Sequence, residues 1–207
     1  MPNYKELKYD RRFIVEHIIK NFDRSSSIID FGCNKSLMLD YLYDYGFKNL
    51  IGYDMDVFPS KRFTTRQFNI NNHNYAEDKK DIIICSMVLE HVYNPYHLFE
   101  VLSQALKPDG TIYMCFPNMD NIFHRLTFLF TGENMRFLKQ FSNKTFITKE
   151  TLKRYLYGEV YQWDDDLKPI FSIIEDFILC AELPLLHIKL PKIKAFAMHN
   201  TIILRRA

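Results

Sequence analysis

Apolar and polar positions recur along this chain with two different periods, and each change of period marks the edge of an element. Between residues 5 and 22, Phe13, Ile14, His17, Ile18 and Phe22 fall on roughly one helical face with charges elsewhere, which predicts an amphipathic helix within residues 1–24. Ser25 to Ser27 break that pattern, and Ile28-Ile29-Asp30-Phe31 reads as a short apolar strand ending at Gly32. Ser36 stands where a side chain caps the next helix, LMLDYLYDY, which stops at Gly46, a position that suits a left-handed residue. Asn49 to Tyr53 forms a second strand closed by Asp54, and a third strand lies near Thr65 to Ile70. Asp81 to Cys85 is almost wholly apolar, the pattern of a strand covered on both faces. A helix follows Asn94-Pro95, because proline suits a first helical turn and Leu98, Leu102 and Leu106 recur at helical spacing. Lys107 to Gly110 is a turn by composition, and Thr111 to Phe116 is a fifth strand.

Strands separated by helices predict an α/β fold, doubly wound on a mostly parallel sheet. After Pro117 the character changes: residues 119–157 read as helical, aromatic and basic, and Ala195 to Leu204 reads as a last strand. No linker-like stretch separates the halves, so residues 1–207 form a single domain.

Composition narrows the function classes. With 207 residues, 47% of them apolar, the chain can build a full core without metal or disulfide staples. Its 27 Lys and Arg against 25 Asp and Glu leave a net charge of +2, which argues against nucleic acid as the main partner. Cys33, Cys85, Cys115 and Cys180 are widely spaced with no C-x-x-C, so neither a zinc site nor a disulfide framework is expected, and a reducing compartment is the simplest setting. No apolar run reaches the ~18 residues of a membrane span, and the amino terminus MPNYKELKYDRR is charged rather than signal-like, so a cytoplasmic protein is expected. Glycine is scarce, six residues where about 7% usage is average, so each glycine is a candidate backbone requirement.

In an open parallel sheet, ligands bind beyond the carboxyl ends of the strands, near the point where strand order reverses. The loop after the first strand offers DFGCNKS, in which Gly32 allows a tight turn and the next helix presents free amide hydrogens. The second strand ends at Asp54, a carboxylate able to accept two hydroxyl hydrogens, and the loop after the fourth strand offers Ser86 to His91. Taken singly, each has a plainer reading: a turn glycine, a capping aspartate, a structural histidine.

In order and spacing, these segments resemble the class I S-adenosylmethionine-dependent methyltransferases, particularly the small ones of ubiquinone-biosynthesis and surface-polysaccharide pathways. The resemblance covers roughly residues 27–118: IIDFGCNKSLMLDYL is similar to the cofactor loop, NLIGYDMD to the second-strand acid, and DIIICSMVLEHVYNPYHLFEVLSQALKPDGTIYMCFPN to the stretch from the fourth strand to the proline-asparagine end of the fifth. It implies a seven-stranded Rossmann-like sheet whose last strand is antiparallel, with a helical insertion after strand five. It also implies S-adenosylmethionine as cofactor and S-adenosylhomocysteine as product. Asp30 and Gly32 would line the methionine end, with the backbone of Cys33 and Asn34 beside them; Asp54 would hold the ribose and Met55 the adenine face. Asn69 and Ile70 would sit at the adenine edge, and Ser86 and Met87 below the sulfonium.

The chain departs from the family's acid-x-Gly-x-Gly-x-Gly run at Asn34 and Ser36, and DVFPSKRF is short for the helix that relatives place there. Methyl transfer to a hydroxyl needs an aligned nucleophile and a base, for which His91 is the first candidate, with His124 and Glu90 behind it. Segment 119–157 would cover the substrate, with Arg125, Arg136, Lys139 and Lys144 meeting an anionic small-molecule or sugar-type acceptor. Alternatively its aromatics pack the core and its lysines are solvated; the run Leu126 to Phe130 also suits contact with a membrane surface. The altered glycine loop leaves open a catalytically silent binding domain, and an RNA or protein methyltransferase is a third reading.

Overall fold

The structure, a computed structural model, describes residues 7, 9–132, 143–145, 147–156, 171–178, 182–183, 188–189 and 199–207. Its first half runs α1 (Tyr9–Asn21), β1 (Ile28–Phe31), α2 (Leu37–Asp44), β2 (Leu50–Asp54), β3 (Thr64–Gln67), β4 (Lys80–Ser86), a 3₁₀ turn (Leu89–His91) and α3 (Pro95–Ala105). There follow β5 (Leu106–Pro117), α4 (Ile122–Thr131), α5 (Lys149–Leu156), β6 (Phe171–Ile178), the short antiparallel pair β7 (Glu182–Leu183) and β8 (Ile188–Lys189), and β9 (His199–Arg206).

Among the described residues, seven strands form one sheet in the order β3-β2-β1-β4-β5-β9-β6. The five strands from β3 to β5 pair in parallel, and β9 runs antiparallel to both its neighbours. This is the expected doubly wound α/β sheet with an antiparallel last strand. The helical insertion after β5 is present as α4 and α5.

Alternation within the strands sorts the core into two layers. Ile28, Ile82 and Ile84 pack with Ile14 and Ile18 of α1 and Leu39 and Leu42 of α2. Their sequence neighbours Ile29, Ile83 and Cys85 pack on the opposite face with Leu98 and Leu102 of α3 and Leu152 and Leu156 of α5. Both faces are therefore dry, which is why β4 reads as a continuous apolar run.

Local chemistry explains most of the boundaries. The Asn94 side chain accepts hydrogen bonds from the Tyr96 and His97 amides at 3.0 and 3.4 Å, and Pro95 opens α3. Ser36 does not cap α2 with its side chain: it is left-handed, and its hydroxyl donates instead to the Asn34 carbonyl at 3.4 Å. Residues 107–110 lie within β5 as an excursion, since Lys80 pairs with Leu106 and Ile82 with Thr111. No helix lies between β2 and β3, and β3 ends at Gln67, short of the expected Ile70, because residues 68–70 turn toward the mouth of the sheet. The last strand begins at His199, and residues 195–198 of the expected strand lie outside the described residues.

Candidate functional site

Strand order reverses between β1 and β4, and a cavity of about 740 Å³ opens there, beyond the carboxyl ends of β1, β2 and β4. The loop after β1 forms its near wall. Gly32, Asn34 and Ser36 have φ of 76°, 47° and 58°, so every second residue is left-handed although only the first is glycine. Gly32 has a further constraint: a Cβ there would meet Val88 Cγ2 at 2.4 Å.

Backbone amides stitch this loop to β2. The Gly32 and Cys33 N–H groups donate to the Tyr53 carbonyl at 2.7 and 3.1 Å, and the Asn34 N–H donates to Asp54 Oδ2 at 2.7 Å. Asn34 Oδ1 folds back to accept from the Lys35 amide at 2.7 Å. Lys35 points into a separate depression beside Arg62, away from the cavity. Asp54 stands half-buried at the lip, its Oδ1 accepting from the Asp56 amide at 3.3 Å.

The opposite side is apolar. Phe31 stacks on Tyr53 with ring centres 5.6 Å apart, and Phe68 closes against both. Met55, exposed at the rim, and Ile70, buried, continue this wall, with Asn69 beside them; Asn69 Oδ1 accepts from the Asn71 amide at 3.1 Å. Ser86 and Met87 form the floor at the end of β4. The Ser86 hydroxyl is buried without a hydrogen-bond partner among the described residues, and Met87 holds a φ of 60°, a strained backbone for a residue with a long side chain.

Asp30 is not on the cavity surface. It is fully buried with neither oxygen hydrogen-bonded among the described residues, and burial pushes its carboxyl up to about 8, opposed by the Arg11 charge and reinforced by Asp54. Cys33 is likewise inside, its Sγ 2.7 Å from where a Cβ at Gly52 would stand, and burial pushes its thiol up to about 12. That close approach is why β2 carries glycine at this position.

The expected bases separate clearly. His91 lines the cavity with its ring 40% exposed, and its Nε2 lies 3.9 Å from Glu90 Oε1. Glu90 and His124 are both buried and neither lines the cavity. Arg125 is on the surface, paired with Asp120 at 3.1 Å, whereas Lys144 does line the cavity. Arg136 and Lys139 lie outside the described residues. In α4 the apolar run does not pack the core: Phe128, Leu129 and Phe130 are 59%, 73% and 80% exposed.

Sequence reading overlooks several residues on the wall, among them the polar Arg11 of α1, Asn71 and Tyr93 and the aromatic Phe31 and Phe68. Arg11 is one charge among several on an amphipathic helix, and nothing in that pattern singles it out.

Comparisons with known proteins agree with this architecture. No curated protein matches the chain in sequence. An S-adenosylmethionine-dependent methyltransferase from Mesorhizobium loti superposes with a TM-score of 0.68 at 15% identity, covering 95% of this chain and 98% of that one. A SAM-dependent methyltransferase from Archaeoglobus fulgidus gives 0.59 at 21% identity, covering 95% and 94%. The 1,6-didemethyltoxoflavin-N1-methyltransferase of Burkholderia thailandensis, solved with 1,6-didemethyltoxoflavin and S-adenosylhomocysteine bound, gives 0.61 at 13% identity, covering 96% and 79%. At these identities the likeness is one of fold. The sequence model for the methyltransferase domain, however, matches residues 7–157, most of the chain and the whole of the cavity just described, and the protein belongs to that family.

Proposed function

We propose that this protein takes the methyl group of S-adenosylmethionine and transfers it to a hydroxyl oxygen of a small-molecule or glycan-type acceptor. One observation carries the reading: the loop after β1 keeps left-handed backbone at residues 32, 34 and 36 and is tied by the Asn34 amide to Asp54. Left-handed backbone is thus kept at the two positions that lack glycine, which favours an active enzyme over a catalytically silent domain.

The residues present fit the cofactor. Asp54 has lone pairs left for ribose hydroxyls, Met55 and Ile70 offer apolar faces to an adenine with Asn69 at its edge, and the unpartnered Ser86 hydroxyl lies on the floor. Arg11, at the other end, suits the methionine carboxylate. Gly32, Cys33 and Asn34 contribute backbone, and Asp30 and Met87 support the loop and the floor from their buried and strained positions. When bound, the cofactor supplies a methyl group already activated on a sulfonium.

His91 is the base in this reading. Its ring faces the cavity, and the positive charge it gains on accepting a hydroxyl proton lies 3.9 Å from a Glu90 oxygen. Glu90 is thus a positioning residue. The three described cysteines are free and buried, in keeping with a reducing, cytoplasmic setting. Among the described residues no helix is long and apolar enough to cross a membrane.

Incubation with methyl-deuterated S-adenosylmethionine and a small-molecule extract tests the proposal by mass spectrometry. Label is expected in an O-methyl product, with His91→Ala slowing its formation by roughly 10²-fold or more. Label found only on nitrogen, sulfur or carbon, or full turnover by the variant, contradicts it.

A further inference from the structure

The rim of the cavity farthest from the β1 loop is built around the Leu89–His91 turn. The Lys144 and Thr145 amides both donate to the Glu90 carbonyl, at 2.7 and 3.1 Å, and Thr145 Oγ1 donates to the Val92 carbonyl at 2.6 Å. From the other side, the Tyr93 amide donates to Asn71 Oδ1 at 2.8 Å. Two stretches distant in sequence are thus fixed on this turn, with His91, Tyr93 and Lys144 all on the cavity wall.

Two features of this group bear on what it could bind. Tyr93 is 73% exposed, although its backbone is pinned. The Lys144 ammonium stands 5.5 Å from the centre of that ring and forms no ion pair among the described residues. At about 740 Å³ the cavity lies toward the upper part of the ~300–1,000 Å³ range of small-molecule sites, leaving room for an acceptor beside the cofactor. Of the cations on its wall, Arg11 comes from α1, whereas Lys144 is held by its amide on the carbonyl of Glu90, the residue before His91.

We infer that Tyr93 and Lys144 form the acceptor subsite, and that the acceptor presents a ring face to Tyr93 and an anionic group, carboxylate or phosphate, to Lys144. This rests on the methyltransferase reading and goes beyond it, because it names the acceptor's charge. A neutral acceptor leaves the ammonium facing water, whereas an anion forms a charge-assisted hydrogen bond that also orients the hydroxyl toward His91.

The test is calorimetry on protein saturated with S-adenosylhomocysteine, titrated with para-hydroxybenzoate, phenyl phosphate and the neutral para-hydroxybenzamide. At least one anion is expected to bind about tenfold tighter than the amide, and the tighter of the two identifies the group. Lys144→Met is expected to erase that preference, and Tyr93→Leu to weaken all three probes, with S-adenosylhomocysteine affinity unchanged in both. Equal binding of anions and amide, no binding of any probe, or a preference that survives Lys144→Met overturns the subsite while leaving the cofactor reading intact. Failure of S-adenosylhomocysteine itself to bind overturns both.

Discussion

Left-handed backbone at alternate residues is expensive in L-amino acids, and the loop after β1 adopts it at Gly32, Asn34 and Ser36. Asparagine recovers part of that cost by folding its side chain onto the Lys35 amide, and serine recovers less through a long bond to the Asn34 carbonyl. Ser36→Gly is therefore expected to stabilise the protein by about 0.5 kcal/mol in urea unfolding, the relief of strain exceeding the entropy that glycine loses. Gly32→Ala is expected to cost about 2 kcal/mol or more, since its Cβ would collide with Val88 as well as strain φ. A stabilised Gly32→Ala, or a destabilised Ser36→Gly, would show that the loop is held by something else. Gly32 and Asp54 were legible in the sequence because both end apolar strands. Arg11, Asn71 and Tyr93 were not, because each reaches the cavity from another element and has no local pattern of its own. Asp30 falls off the cavity surface because it shares the face of Ile28, which α1 covers, and a strand's own pattern does not show which helix will bury a face.

At the scale of elements, one carboxylate ties the sheet's lower edge together. Asp81 at the start of β4 accepts from the Ser27 amide and hydroxyl at 2.8 and 2.6 Å, and from Lys107 Nζ at 2.8 Å. Burial raises its pKa, but the bonds from Lys107 and Ser27 outweigh that and hold the carboxyl down at about 2. A folded pKa below the ~3.9 of a free aspartate gives stability that is complete above the unfolded value and is lost as pH falls toward the folded one. Asp81→Asn is expected to lower stability at neutral pH by on the order of 1 kcal/mol and to flatten the loss between about pH 4 and pH 2. An acid limb identical to that of the wild type would count against this link. The same site explains a difference in the reading of residues 107–110: their composition marks a turn, but Lys107 reaches back to Asp81 and the segment bulges within β5. The helix starts and the parallel strands were readable because caps and apolar runs are local. Ser36 has the residue type of a side-chain cap but not the backbone, since a sequence shows residue type and not φ.

For the molecule as a whole, two dry layers on a parallel sheet leave the ends of the strands as the place for chemistry, and the strand order decides which end crevice is open. The N-terminal helix closes one side of that crevice with Arg11, and the turn after β4 closes the other with His91. The central claim is that this crevice is a cofactor site organised by Asp54. Calorimetric titration with S-adenosylhomocysteine, on the wild type and on Asp54→Asn, addresses it directly. The asparagine keeps an oxygen for the Asn34 amide and removes the charge offered to the ribose. Micromolar binding by the wild type, weakened about tenfold or more in the variant with its folding unchanged, is the predicted result. No heat at millimolar S-adenosylhomocysteine, or equal affinity in both proteins, would contradict the account.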